Sequence, residues 1–187
     1  MKMNKTFTKE DRKFLENLAK NAVEKFIRTG KELNVGEVPE STKDMLACFV
    51  TIYKQGELRG CIGTLESYDE LYRSVIENAI SAATRDTRFN SVEEEELESL
   101  SYEISILTKP EKIFYNIQEE LFDKIRKKGV TLEKGFYQST YLPQVWEHFT
   151  MEEDFLSSLC RKAGLNGNEW KKLNKSGIEY SVYDTIK

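Results

Sequence analysis

The sequence predicts an α+β fold in which an antiparallel sheet is flanked by helices. Three observations predict it. Segments rich in β-branched and aromatic residues come in neighbouring pairs joined by glycine turns, the mark of hairpins. Segments with apolar residues at helical spacing lie between and around those pairs. No regular alternation of strand and helix runs through the chain, which argues against a doubly wound parallel sheet.

Each element has its own justification. Thr8 can cap a helix running to about Thr29, with Phe14, Leu15, Leu18, Ala22, Phe26 and Ile27 on its apolar face and Gly30 at its end. Residues 31–42, "KELNVGEVPEST", form a polar loop around Gly36 and Pro39. Residues 45–53, "MLACFVTIY", read as a strand; "KQGE" turns the chain at Gly56, and "LRGCIGTL" returns as the second arm of a hairpin. Ser67 and Glu70 have the spacing of a capping box for the helix in "DELYRSVIENAISAAT". Its Leu71, Tyr72, Val75, Ile76, Ala79, Ile80 and Ala83 mark the core face.

Residues 85–90, "RDTRFN", form a charged loop. Ser91 and Glu94 are placed to cap a short helical turn over "VEEEEL", whose acidic run from Glu93 to Glu96 reads as a solvated helix start. In "LSYEISIL", Tyr102, Ile104 and Ile106 alternate with Ser101, Glu103 and Ser105, as in a half-exposed strand, and Pro110 ends it. A helix near residues 118–128 precedes the strands "GVTLE" and "FYQSTYL", which turn at Lys134-Gly135. Pro143 suits the first position of a helical turn, "PQVWEHF". Thr150 and Glu153 box the next helix, with Phe155, Leu156 and Leu159 inward and Gly164 as its stop. A short helix around Trp170 and the strand "EYSVYDTI" complete the series.

The 187 residues, 39% hydrophobic and 32% charged, fit one soluble domain with a sizeable core. A net charge of -4 and a pI near 5.3 argue against nucleic acid as partner. The basic clusters "KIRKKG" and "RKAG" fall at predicted helix ends, where cations suit the helix dipole. No apolar run reaches membrane-spanning length, and "MKMNKTFTKEDRKF" leads into a helix without the pattern of a secretory signal. Three widely spaced cysteines make no disulfide framework, so a reducing, cytoplasmic setting is expected. A single histidine and the lack of CxxC argue against a zinc site, and no P-loop, GxGxxG or GxSxG string is present. No metal and no cofactor are expected.

The candidate chemistry centres on "LRGCIG". Along an ideal strand Arg59 and Cys61 project from one face while Leu58, Gly60 and Ile62 project from the other. A guanidinium beside a thiol favours the thiolate. Gly60 and Gly63 let a ligand, or another backbone, approach without meeting a Cβ. Arg59 would then anchor an anionic or carbonyl-bearing molecule and Cys61 would attack or contact it. The competing reading makes Cys61 a small buried hydrophobe. Cys48, in an apolar strand, and Cys160, beside Leu159, read as packing. His148 is the one side chain with an ordinary pKa near neutrality, either a base toward Cys61 or a surface cap. Arg85, Asp86 and Arg88 offer an anion-binding rim or, alternatively, an Arg–Asp bridge that pins their loop. Gln144 is the polar donor of "LPQVW" and could face a ligand.

Taken together, "GELRGCIGTLE", "VIENAISAATRDTRFNSVEEEEL", "YEISILTKPEKI" and "TYLPQVWEHFTMEEDFLSSLCRKAGL" resemble the AMMECR domain family, whose prokaryotic members are called protein A of the AmmeMemoRadiSam system. The resemblance runs in order over about residues 23–183. It departs from the family pattern at Thr87, where members carry proline in "RDPRF", and at Phe136-Tyr137-Gln138, where members often carry glycine or arginine. It implies one domain over residues 1–187 built of two unequal, interleaved lobes, with "LRGCIG" facing a shared cleft. It also implies a genomic association with a Memo-type protein and a radical-SAM enzyme, candidate partners of the chain. The chain itself lacks the CxxxCxxC spacing of a radical-SAM cluster. The resemblance brings no established reaction, so two functions stand side by side: a cleft that binds and covalently processes a small molecule, and a non-catalytic adaptor that receives a partner's peptide.

Overall fold

The computed structural model describes residues 6–186. The opening residues of "MKMNKTFTKEDRKF", up to Lys5, lie outside them. The chain divides into two compact units. The first runs from the start of the described residues to Thr108 and takes in Ile186; the second is Lys109–Thr185.

The first unit opens with helix α1 (Lys9–Thr29). Thr8 caps it reciprocally with Asp11, satisfying N–H groups that have no partner in the first turn, and Gly30 closes it in the left-handed region at φ 66°. Its inward stripe includes Leu15, Leu18, Ala19, Ala22 and Val23, all buried. A single 3-10 turn at Glu40–Thr42 interrupts the loop that follows. Strands β1 (Cys48–Lys54) and β2 (Glu57–Gly63) form the expected hairpin. Its two turn residues, Gln55 and Gly56, both have positive φ, 53° and 86°, the backbone sense that matches the twist of a two-residue hairpin.

Helix α2 (Leu71–Thr84) packs on β1, β2 and α1. Its N-terminus differs from the expected capping box: Glu70 sits at the cap without a side-chain bond, and the Ser67 hydroxyl donates to the Asp69 carbonyl instead. Asn78, not a predicted core position, is buried because its amide donates to the Cys48 carbonyl at 3.1 Å. After α2 a 3-10 segment, Glu94–Ser99, is capped by Glu93 and Glu96 rather than by Ser91 and Glu94. Strand β3 (Leu100–Ile106) then pairs with β1, giving the antiparallel order β2-β1-β3. Register places Val50, Ile62 and Ile104 in one row and Ile52, Gly60 and Tyr102 in the next, on the face covered by the helices. Phe49, Thr51 and Tyr53 project from the opposite face, as alternation along β1 requires.

The second unit has its own core around Leu121, Ile125, Val130, Leu132, Phe155, Leu159 and Trp170. Its sheet has the order β4-β7-β5-β6, from β4 (Glu111–Lys112), β5 (Gly129–Lys134), β6 (Tyr137–Tyr141) and β7 (Glu179–Tyr183). β4 was not legible after Pro110, since two residues cannot show a period. Helix α3 (Gln118–Ile125) stops three residues earlier than expected, because Lys127 adopts φ 60°. Helix α4 (Glu152–Lys162) starts at Met151 without the Thr150–Glu153 box, and Gly164, at φ 85°, follows its end. Pro143 opens a 3-10 helix, Pro143–His148, in which the Trp146 ring stacks on Phe155 at 3.9 Å between centroids. No helix among the described residues is long and apolar enough to cross a membrane.

Candidate thiol site on the first unit

Strand β2 is an edge strand, and its pairing with β1 is irregular where the candidate site begins. Gly60 opposes Ile52 and Leu58 opposes Tyr53, so Arg59 is an extra residue, a β-bulge. The bulge breaks the alternation assumed from sequence. Leu58, not Arg59, shares the face of Cys61. The Arg59 guanidinium turns to the loop after α2: Nε and Nη2 donate to the two Glu96 carboxylate oxygens at 3.0 and 2.9 Å, Nη1 to the Asn90 carbonyl and Nη2 to that of Ser91. Lys54 reaches Glu96 as well, at 2.9 Å. Donation from Arg59 holds the Glu96 pKa at about 2, against an ordinary 4.5, even though burial pushes the other way. Arg59 is therefore a clamp on residues 90–96. The expectation that it stands beside the thiol is corrected by the bulge.

Cys61 lies opposite Thr51 on β1, and Thr51 in turn lies opposite Glu103 on β3. Thiol, hydroxyl and carboxylate thus form one row on the sheet face away from α1 and α2, with Thr51 buried, Cys61 half-buried and Glu103 exposed. The Thr51 hydroxyl donates to the Cys61 sulfur at 3.3 Å. Cys61 is half-buried, whereas Cys48 and Cys160 are fully buried. Burial raises the Cys48 thiol to about 12 and raises that of Cys160.

The backbone of Cys61 is held by Asp86, whose carboxylate accepts the Cys61 N–H at 2.9 Å. The same carboxylate receives Arg88 twice, Nε on Oδ1 at 2.9 Å and Nη2 on Oδ2 at 2.7 Å, and also the Arg88 N–H at 3.2 Å. Side-chain donation from Arg88, helped by the N–H groups of Cys61 and Arg88, lowers the Asp86 pKa from 3.8 to about 2 against the opposing effect of burial. The Arg–Asp bridge that pins the loop is thus present, and it restrains the loop that Thr87 leaves without a proline. It also brings a cation to the loop that holds the Cys61 backbone. The Arg88 pKa is raised, chiefly by the bond to Asp86, so Arg88 is a firmly held cation on the carboxylate that also binds the Cys61 N–H. The Arg88 side chain is 54% exposed against 14% for Arg59. The Phe89 ring lies near both guanidinium groups, its centroid 6.0 Å from Arg59 Cζ and 5.4 Å from Arg88 Cζ.

The glycines have a different cause from ligand access. A Cβ on Gly60 would stand 2.2 Å from the Ala82 carbonyl oxygen, and one on Gly63 would stand 2.4 Å from both the Cys48 carbonyl oxygen and the Phe49 ring. Of the two approaches left open by sequence, backbone and neighbouring side chain fill both positions. Arg85 parts company with Asp86 and Arg88: it is the C-cap of α2, and its side chain lines a groove whose walls include none of Cys61, Asp86 or Arg88. Gln144 and the exposed His148 belong to the 3-10 helix of the second unit.

Sequence reasoning missed Thr51, Phe89, Glu96 and Lys54. Thr51 was visible as the hydroxyl in an apolar strand at the place where hairpin register meets Cys61. Glu96 stands three residues after Glu93, the spacing of a cap, and was masked by its acidic neighbours.

The AMMECR1 family model matches residues 16–186. The chain is 39% identical over 168 residues to Protein MJ0810 of Methanocaldococcus jannaschii, covering 87% of this chain and 83% of that protein. It is 36% identical over 162 residues to a protein of Methanothermobacter thermautotrophicus, covering 84% of each. Among solved structures, the uncharacterized protein PH0010 of Pyrococcus horikoshii superposes with a TM-score of 0.87 at 34% identity, over 96% of this chain and 91% of that one.

Proposed function

The chain belongs to the AMMECR1 family, and from that premise we propose that the sheet face around Cys61 binds a small anionic or carbonyl-bearing molecule and presents Cys61 to it as a nucleophile. In this reading Arg88 attracts the anionic or developing negative charge, and the Thr51 hydroxyl stabilises the thiolate by donating to sulfur. Asp86 orients both partners, one through its guanidinium and the other through its backbone. Arg59 contributes indirectly by fixing residues 90–96. With a carbonyl substrate, the thiolate forms a C–S bond, the π pair becomes an oxyanion beside Arg88, and a solvent proton completes a hemithioacetal.

The observation that carries the proposal is the contrast among the three cysteines. Cys61 alone of them is partly open, with the Thr51 hydroxyl donating to its sulfur and its N–H bonded to the Asp86–Arg88 pair, while Cys48 and Cys160 are fully buried in apolar cores. Iodoacetamide at neutral pH, followed by peptide mass spectrometry, tests it. Cys61 is expected to alkylate faster than a model thiol while Cys48 and Cys160 stay protected; slow, uniform labelling of all three removes the nucleophile role.

Action beside a Memo-type protein and a radical-SAM enzyme is part of the proposal, supported by the motif resemblance alone. The adaptor reading, in which a peptide pairs along the free edge of β2, has an observation against it: Asp86 already occupies the Cys61 N–H on that edge.

A further inference from the structure

A concavity lies within the first unit, between α2 and the segment of residues 32–35, with a volume of about 400 Å³. That is the size range of small-molecule sites. Its apolar lining comes from Phe26, Leu33, Val35, Tyr72, Ile76 and Ile80. Four charged side chains line the α2 side, Asp69, Arg73, Glu77 and Arg85, and Glu32 lines the facing segment. Arg73 and Asp69 are already engaged, Arg73 with Glu70 at 3.2 Å and with Asp69 at 3.8 Å. The side chains of Glu32, Glu77 and Arg85 have no hydrogen-bond or ion-pair partner among the described residues.

These unengaged charges decide what the groove fits. Two acids and one base exclude a simple anion, because the acids would repel it, and a simple cation leaves Arg85 unanswered. A ligand carrying both charges, set apart, answers Arg85 and one acid, Glu77, on the same helix side, while the exposed Glu32 on the facing segment keeps its charge in solvent. Glu77 and Arg85 are eight positions apart along α2, about 12 Å at the helical rise of about 1.5 Å per residue. A free amino acid, with its charged groups a few ångströms apart, is too short. An extended peptide advances about 3.4 Å per residue, so three to four residues span the gap. We infer that this groove binds a short apolar peptide with free termini, its ammonium group at Glu77 and its carboxylate at Arg85, and its side chains against Ile76, Ile80 and Phe26. This site is separate from the one proposed around Cys61 and does not depend on it.

The probe is trileucine, titrated into the full chain and followed by amide NMR shifts, with N-acetyl-trileucine and trileucine amide as charge-deleted controls. Saturable shifts at Leu33, Ile76 and Ile80 are expected with trileucine. Each control should bind at least about fivefold more weakly, as expected when one partner of a charged pair is lost. In Glu77→Gln the acetyl group should no longer matter, and in Arg85→Gln the amide should no longer matter. Both residues are exposed, so neither substitution threatens the fold. Absence of saturable shifts at millimolar trileucine overturns the inference. So does equal binding of all three peptides, or a control penalty that survives the matching substitution.

Discussion

Replacing Asp86 with asparagine tests the junction on which the thiol site rests. The carboxylate is 5% exposed and accepts four bonds: two from the Arg88 guanidinium and the N–H groups of Arg88 and Cys61. Its pKa falls from 3.8 to about 2 in the fold. At about 1.36 kcal/mol per tenfold change in proton affinity, that fall is linked to roughly 2 kcal/mol of stability at pH 7. Because the folded pKa is the lower one, this stability is fully present above pH 3.8 and is lost as pH drops toward 2. At pH 3 about half of it remains by the same linkage relation. Asparagine carries one acceptor oxygen where aspartate carries two, so its amide N–H group must also confront a donor, and the total cost at pH 7 should approach about 3 kcal/mol.

Trp146 and Trp170 both belong to the second unit, so the first unit calls for a probe of its own. Urea unfolding followed through the amide signals of Val50 and Ile52, buried in β1, reports the first unit directly. The wild type should exceed Asp86→Asn by about 2–3 kcal/mol at pH 7, and the gap should narrow by about 1 kcal/mol at pH 3. A gap below about 1 kcal/mol at pH 7, or one that does not change with pH, refutes the role given to the carboxylate.

Two further perturbations probe the scaffold. Gly60→Ala should lower stability by about 1–3 kcal/mol or more, because the new methyl meets the Ala82 carbonyl oxygen at 2.2 Å and both backbones are fixed; a thermal midpoint unchanged within about a degree contradicts the close approach of α2. Glu96→Gln should cost about 2–3 kcal/mol at pH 7, since it removes the charge that Arg59 and Lys54 share. The Glu96 pKa is lowered from 4.5 to about 2, so the wild type should lose its advantage as pH falls through that window. Urea titrations at pH 7 and 3 that show a constant difference would remove Glu96 from the clamp.

How much of this was legible in the sequence follows from the range of each interaction. The capped helix α1, the hairpin around Gly56 and the proline-led turn at Pro143 depend on residues within a few positions, and each appears where the sequence puts it. The helix starts at Glu70 and Met151 were misjudged for the opposite reason. Ser67 and Thr150 satisfy the spacing of a cap, yet spacing alone does not oblige a side chain to turn back. The site was half legible. Cys61, Asp86 and Arg88 converge, but where the Arg59 guanidinium points depended on a bulge, and a one-residue irregularity in pairing leaves no trace in a single strand's pattern. The bond from the Thr51 hydroxyl joins two strands and depends on register, which only the folded hairpin fixes.

The central claim is that the Cys61 sulfur owes its reactivity to a hydrogen bond from one neighbouring strand and a positive charge at the strand edge. Its most direct measurement is the iodoacetamide rate at Cys61, at pH 7, in the wild type, Thr51→Val and Arg88→Leu. The expected result is a fall of about threefold to tenfold in each variant, the effect of losing one donor or one charge beside a thiolate, with Cys48 and Cys160 unlabelled throughout. Equal Cys61 rates in all three proteins would contradict it.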